Sequence, residues 1–308
     1  MILPKPSSIR FEDVPVPGTS SFALREFRWP RFPLNWHYHP EVELTLISKG
    51  HGLRFVGDSI QDFRPGDLCL LGANIPHCWT SPAEARGGVC SLVLQFRAET
   101  WGRDFWHLPE IHKIDDLLSR SRRGFVVQGE TRRSIASRLE GLASCPVGTW
   151  RRLHMLLEIL GELSDSADLE SLTSVTYQTT SDHASNRKLA RVLQYVQDHL
   201  TQDLSQHEAA ASLGVSPAAF SQFFRRNMGR TFVDFVNDLR IRHASRALLE
   251  SSVSITQIAF DSGFNNLSHF HAQFRRLRGT TPRAYRESAA QMGMEKEHDQ
   301  PDLPGRFR

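Results

Sequence analysis

The chain has 308 residues, 40% apolar and 23% charged, with a formal net charge of +3; that is enough material for two ordinary domains, each with its own core. No stretch is long and apolar enough to cross a bilayer, and residues 1–17 are rich in proline and lack the apolar run of a secretory leader. A cytoplasmic protein with no membrane partner is therefore expected.

The four cysteines, Cys69, Cys78, Cys90 and Cys145, show no C-x-x-C spacing, which predicts reduced thiols buried in strands. All six tryptophans, Trp29, Trp36, Trp79, Trp101, Trp106 and Trp150, lie in the first half, so the two halves are expected to do different work. Pro4, Pro6, Pro15, Pro17, Pro30 and Pro33 give the start of the chain an extended, arm-like character. Residues 22–96 then alternate short apolar runs with turn signals: strands are predicted over 42–47, 52–56, 67–71 and 89–96, with Gly57-Asp58 as a hairpin turn. That pattern is an all-β barrel or sandwich.

Within it stand His37-x-His39-x-x-x-Glu43-x6-Gly50 and Gly66-x5-Gly72-x-Asn74-x-x-His77. This pair resembles both motifs of the cupin superfamily, and His37, His39, Glu43 and His77 match the four positions that bind metal in cupin enzymes. The turn residues depart from the pattern: Gly72 stands where the family has Pro, Asn74 where it has Gly, and the glycine before the first His is missing. Read as one strand, His37, His39 and Glu43 alternate, and a period of two sends all three to the same inner face. Three imidazoles and a carboxylate suit a divalent transition metal such as Zn, Ni, Fe or Mn. The same histidines near a barrel mouth equally suit hydrogen bonds to ligand hydroxyls. Trp36, Tyr38 and Trp79 flank them, either as an aromatic face for a ligand ring or as barrel packing. The expected ligand site is Trp36, His37, His39, Glu43, His77 and Trp79.

A helix is predicted from about Trp150, with Leu153, Leu156, Leu157, Leu160 and Leu163 as a leucine stripe, a pattern usual for intrachain core and open to pairing with a second subunit. After it, Ser, Thr, Asp and Gln crowd together and helical periodicity fails, which reads as a linker. The expected organisation is a ligand-sensing and dimerisation domain over 1–164, a linker over 165–186, a DNA-binding domain over 187–290 and a disordered tail over 291–308.

The last third repeats itself. Ala210-x-x-x-Gly214 recurs as Ala259-x-x-x-Gly263 at an offset of 49, and Phe224-Arg225-Arg226-x-x-Gly229 recurs as Phe274-Arg275-Arg276-x-x-Gly279 at an offset of 50. A helix-turn-helix needs a small residue where its helices touch and a glycine where the chain turns with positive φ. In the first copy a supporting helix is expected over 208–213, with Ser216 as N-cap and Pro217 opening a reader helix over 217–228. Phe220, Phe223 and Phe224 face inward there, and Ala218, Ser221, Gln222 and Arg225 face outward. In the second, Ser254 caps a helix through Asp261, and a reader helix over 266–277 presents Leu267, Ser268, His271, Ala272 and Arg275. Residues 232–249 carry no Pro or Gly and read as one straight helix of roughly 27 Å, against the ~34 Å between successive major-groove faces on one side of DNA. Residues 183–285 hold 13 Lys and Arg against 7 Asp and Glu, a net +6 within a chain of +3, so the basic surplus lies on the repeat.

Residues 185–287 resemble the AraC/XylS family of transcription regulators, on Gly229-x-Thr231-Phe232-x-x-Phe235, Ser254-Ile255-x-x-Ile258-Ala259-x-x-x-Gly263-Phe264 and Gly279-x-Thr281-Pro282-x-x-Tyr285. The resemblance implies an α+β chain: an N-terminal cupin-like barrel with dimerisation helices, then an all-α double helix-turn-helix. It implies promoter DNA as a partner, a homodimer paired antiparallel through the leucine stripe, an N-terminal arm that answers to ligand, and RNA polymerase as a partner of an activator. The expected DNA-binding residues are Ala218, Ser221, Gln222, Arg225, Arg226, Asn266, Leu267, Ser268, His271, Arg275 and Arg276. The family often has Arg where this chain has Gln222 and Ala272; Gln can pair with adenine, and Ala offers only a methyl contact to thymine.

The function expected is a non-enzymatic, sequence-specific regulator, an activator, answering to a sugar or related metabolite in the barrel. Two alternatives stand beside it: a metal-dependent cupin isomerase or dioxygenase carrying a DNA-binding tail, and an architectural DNA binder whose barrel only dimerises. No acid or base motif beside the four candidate ligands marks a catalytic site.

Overall fold

The computed structural model describes residues 10–82, 85–175, 177 and 183–288. Pro4, Pro6 and the expected tail over 291–308 lie outside the described residues. The chain divides into two compact units, one of Met1–Arg191 and Arg226–Gly229, the other of Val192–Arg225 and Arg230–Arg308.

The first unit is built on two sheets. One runs in the order β1 (Arg10–Phe11), β3 (His37–Tyr38), β8 (His77–Thr80), β5 (Gly52–Val56), β6 (Ser59–Phe63). The other runs β11 (Leu169–Ser171), β10 (Phe125–Val127), β7 (Leu68–Leu71), β4 (Val42–Lys49), β9 (Val89–Phe96), β2 (Phe22–Trp29). The sequence shows little polar alternation in β4 and β9 because the six-stranded sheet is covered on both faces. Its inner face meets Phe32, Phe63, Ile75 and Trp79. Against its outer face, where Leu44, Leu70, Leu94 and Phe96 project, pack α2 (His112–Arg120), α3 (Gly129–Ala143) and α4 (Trp150–Asp165). A single turn, α1 (Arg103–Trp106), leads into them.

Three expectations change here. His37 and Glu43 do not share a strand: β3 ends at Tyr38 in one sheet and β4 begins at Val42 in the other. Pro40, which has no N–H to give a ladder, stands at the crossing. Of the two readings of the leucine stripe, core holds for most of it, since Leu156, Leu160 and Leu163 are buried against the sheet and only Leu153 and Leu157 of the five keep surface. The stretch read as linker contains β11, three residues paired antiparallel with β10; a strand so short leaves no readable periodicity. Of the cysteines, Cys69, Cys78 and Cys90 are buried in strands, whereas Cys145 is half-buried after α3, and all four are free thiols.

The second unit carries the repeat. After α5 (His183–His199) come α6 (Gln206–Ser212) and α7 (Pro217–Met228), then α8 (Phe232–Glu250), then α9 (Ile255–Asp261) and α10 (Leu267–Arg278). From α6 onward each start has its cap: the side chains of Ser205, Thr231, Ser254 and Asn266 accept from the N–H three residues on, and Ser216 Oγ accepts from Ala219 N. Phe220 and Phe224 of α7 pack edge-on against Phe232 at the start of α8, and Phe224 also meets Phe235. Further along α8, Ile241, Ala244 and Leu248 bury Ile258, Ala259, Phe264, Phe270 and Phe274. Each fully buried Phe contributes on the order of 2 kcal/mol. The 19 residues of α8 make a rod of about 28 Å.

The one-residue difference between the copies can be placed. Val215 N bonds Ala210 O in the first copy and Phe264 N bonds Ala259 O in the second, both five apart. The caps Ser216 and Asn266 are 50 apart, so the extra residue is the exposed Asn265.

Gly214 and Gly263 both turn with positive φ, 67° and 85°. A Cβ on Gly214 would meet nothing within 4 Å, but on Gly263 it would fall 2.6 Å from the Leu200 carbonyl oxygen. Gly214→Ala should therefore cost about 1 kcal/mol of backbone strain, and Gly263→Ala clearly more; urea unfolding of the full-length protein measures the order.

Candidate ligand site and nucleic-acid interface

The inner face of the six-stranded sheet is laid down in rungs. Cross-strand register places Ala23, Gln95 and Glu43 in one row, Arg25, Val93 and Thr45 in the next, and Phe27, Ser91 and Ile47 in a third. Residues opposite one another on neighbouring strands share a face, so this face carries a carboxylate, an amide, a hydroxyl and a guanidinium. From the opposite sheet come His37 on β3 and His77 on β8, paired with each other in register, with His39 just beyond β3.

The four expected ligands do come together. One ligand atom from each of His37, His39, Glu43 and His77 lies within 4.8 Å of the others, and all but half-buried His37 are buried. Nδ1 of His37 is 2.7 Å from the Asn35 carbonyl, Nδ1 of His77 is 2.7 Å from the Ile75 carbonyl, and Nδ1 of His39 is 3.2 Å from the Glu41 carbonyl. A carbonyl only accepts, so each Nδ1 carries a proton and the three Nε2 atoms turn inward. His39 Nε2 lies 2.9 Å from Glu43 Oε2. His77 Nε2 stands 3.6 Å from Glu43 Oε1 and is buried with no hydrogen-bond partner. Backbone carbonyls behind the rings, with their other nitrogens converging on a carboxylate, form the outer shell that fixes metal-ligating imidazoles. The donor set fits a divalent transition metal, and the orphaned Nε2 is what such an ion would satisfy.

Asn74 supports this arrangement from the loop before β8. It adopts a left-handed conformation, φ 63°, and its N–H bonds the His39 carbonyl at 2.8 Å. The departure from Gly at this position changes the residue and keeps the backbone, because Asn tolerates that region.

Burial opposes the charge on Glu43, but His77 and His39 hold its carboxyl well below the usual carboxylate range. Its oxygens are otherwise satisfied by Thr45 Oγ1 at 2.6 Å and Gln95 Nε2 at 2.8 Å. Gln95 Oε1 in turn accepts from Arg25 Nη2 at 2.5 Å, and the same nitrogen donates to Glu12 Oε1 at 2.9 Å. Glu12 Oε2 lies 3.1 Å from His37 Nε2. Burial raises the Glu12 carboxyl, yet the hydrogen bond and charge of His37, with the Arg25 bond, bring it down to about 2.

A cleft of about 600 Å³, counted out to its open mouth, lies over these groups and is lined by Glu12, Arg25, His37, Glu43 and Gln95 on its polar side. Phe27, Trp29, Phe32, Ile47, Trp79 and Val93 form its apolar wall. Trp79 thus belongs to the cleft as expected. Trp36 does not: it is buried edge-on against Phe55, with Tyr38 buried beside it in the chain. Glu12, Arg25, Thr45 and Gln95 were missed from sequence. The local signal was the pair of polar residues, Ser91 and Gln95, in the otherwise apolar run of β9.

On the repeat, Ala218, Ser221, Gln222, Arg225 and Arg226 of α7 are exposed, as are Ser268, His271, Ala272, Arg275 and Arg276 of α10. Several already have other work. Ser221 Oγ donates to the Pro217 carbonyl and accepts from Gln206, the Asn266 side chain caps α10, and Arg276 pairs with Asp234 at 3.0 Å. Leu267 does not face outward: it is half-buried, packed against the core that α8, α9 and α10 share. Gln222 and Arg225 on α7, with Ser268, His271 and Arg275 on α10, remain as exposed polar tips on the two second helices.

The family model of an AraC-like ligand binding domain matches residues 20–178, and that of a helix-turn-helix domain matches 209–288. The HTH-type transcriptional activator RhaS of Klebsiella pneumoniae is 22% identical over 281 residues, covering 88% of this chain and 93% of that protein. The melibiose operon regulatory protein of Escherichia coli K12 is 22% identical over 275 residues, covering 86% and 88%. A solved transcriptional regulator of the AraC DNA-binding type from Chromobacterium violaceum is 29% identical, covers 35% of this chain and 96% of its own, and superposes with a TM-score of 0.33.

Glu43→Leu would strip the acceptor from Thr45, Gln95 and His39 inside a dry site, and should destabilise the first unit by about 3 kcal/mol or more. Glu43→Gln keeps one acceptor oxygen and should cost less; urea denaturation of both variants ranks them.

Proposed function

Starting from the fact that this chain belongs to the AraC family of DNA-binding transcription regulators with a ligand-binding domain, we propose that it is a sensor whose cleft takes a small metabolite, a sugar or a relative of one. Occupancy of the cleft biases how α7 and α10 sit on promoter DNA. The observation that carries this reading is the juxtaposition in one chain of a cleft with convergent polar groups under an aromatic wall and two capped reader helices mounted on α8. A ligand shifts such an equilibrium only by its difference in affinity for the two arrangements. The melibiose relative lends support to a sugar-like effector and the RhaS relative to activation; an activator would also meet RNA polymerase.

Dimerisation is part of the reading. With Leu156, Leu160 and Leu163 spent on the core, the remaining face of α4 offers Trp150, 77% exposed, with Leu153 and Leu157 at following turns. An apolar stripe at that spacing suits the same helix of a second copy.

The cluster of His37, His39, Glu43 and His77 is read as the seat of a divalent transition metal. When bound, such an ion would supply a Lewis-acidic anchor for an oxygen of the effector. The sensing reading is preferred to a metal-dependent enzyme because Glu12, Arg25 and Gln95 in the cleft are tied to one another in a chain of hydrogen bonds. No other acid or base among the described residues lines it.

Two measurements bear on this. On a promoter-length duplex, Arg225→Ala should weaken binding on all sequences alike and lower the salt slope by about 1, whereas Gln222→Ala should cost about 1–3 kcal/mol at one base pair only; absence of duplex binding at low salt, with or without ligand, overturns the reading. Elemental analysis after loading with Zn, Ni, Fe or Mn should give about one ion per chain, lost in His77→Ala. A wild-type chain that retains none returns the histidines to hydrogen-bonding ligand hydroxyls.

A further inference from the structure

Glu12 is the odd member of the cleft. It is delivered by a short stretch of chain outside the long strands: β1 pairs in parallel with β3 through only Arg10↔His37 and Phe11↔Tyr38, and Glu12 N–H adds a 3.2 Å bond to the Tyr38 carbonyl. Its carboxylate places one oxygen on Arg25 and the other on His37.

Arg25 needs what Glu12 brings. Three-quarters buried, it projects into the cleft from β2, its Nη2 is shared between Glu12 and Gln95, and its Nε is buried with no partner. A ligand that entered and pushed Glu12 aside with a neutral group would leave a guanidinium uncompensated in a partly dry site, which costs more than the contact gains. A second carboxylate would not, because it accepts from Arg25 as Glu12 does, takes the place of Glu12 beside His37, and exchanges like for like in charge.

We propose that the effector of this regulator carries a carboxylate, and that it binds by taking over the Arg25 and His37 contacts of Glu12, so that the β1 segment loses the hold that Glu12 gives it on the barrel. The inference rests on the sensing reading above and names the chemistry and the switch of that site. The body of the acid lies against Phe27, Trp29, Phe32 and Trp79. Glu12 is then an internal stand-in: it keeps Arg25 satisfied in the empty cleft and sets the threshold an acid must exceed.

The test is calorimetric titration of full-length protein with two matched pairs, glucuronate against glucose and 3-phenylpropionate against its amide, on wild type, Glu12→Gln, Arg25→Gln and Arg25→Lys. At least one acid should bind about tenfold or more tightly than its neutral partner; Glu12→Gln should tighten it about tenfold, Arg25→Gln should lose it, and Arg25→Lys should keep part of it. Hydrogen exchange across Glu12 should quicken when the acid is bound. Equal binding of acid and neutral partner, or no gain in Glu12→Gln, overturns the proposal.

If neither acid fits, formate settles the matter: it should raise the melting temperature of Glu12→Ala over chloride at equal ionic strength, and not that of Glu12→Ala combined with Arg25→Gln. No rise in Glu12→Ala overturns it. The two levels fail separately. Binding of neutral sugar alone removes the carboxylate and leaves sensing in place, whereas an acid that binds and never changes DNA occupancy removes sensing and leaves the carboxylate site.

Discussion

A carboxylate buried between two sheets constrains everything around it. Glu43 is 3% exposed, and an ionised group there is tolerable only if its lone pairs are filled and its charge is answered. Gln95 and Thr45 fill them from the same sheet, and His39 and His77 answer the charge from the other side. The register of β4 on β9 follows from this as much as from the apolar pattern, since a slip of one residue would set Leu94 where Gln95 stands and send the whole polar row to the helical side. The barrel is assembled around a polar knot, and the cleft is the place where that knot reaches solvent.

The repeat was legible in the sequence because its physics is local. Caps, a proline at a helix start, a left-handed glycine and phenylalanines at three- and four-residue spacing all act within a dozen residues, so the roles of Ser216, Pro217, Gly214 and the pair Phe220 and Phe224 follow from the sequence around them. Leu267 went astray because periodicity around a helix does not reveal how far the neighbouring helix overlaps its first turn. The four candidate metal ligands were legible as residues, through motif spacing, but their supposed common strand was not, although Pro40 lay in plain sight as the point where a ladder must fail.

Glu12, Arg25 and Gln95 were illegible for a different reason. They are 13 and 70 residues apart along the hydrogen-bonded chain that joins them, and only the order β4-β9-β2 brings Arg25 and Gln95 onto one face. Leucines of α4 show the same limit: a stripe announces an apolar face, and nothing within the helix says whether the face is filled by its own sheet or by another molecule. Leu169–Ser171 became a strand because β10 offered an edge, not because of its own three residues.

The six-stranded sheet has one further consequence. Along β9, Ser91, Val93 and Gln95 look into the cleft while Leu92, Leu94 and Phe96 rest on the helical layer, so the wall between ligand chamber and α2–α4 is a single pleat thick. Such a partition works as a diaphragm: pressure on one surface is felt at once on the other, with no intervening layer to absorb it. Leucines on the helical side therefore help to set the shape of a chamber they do not line.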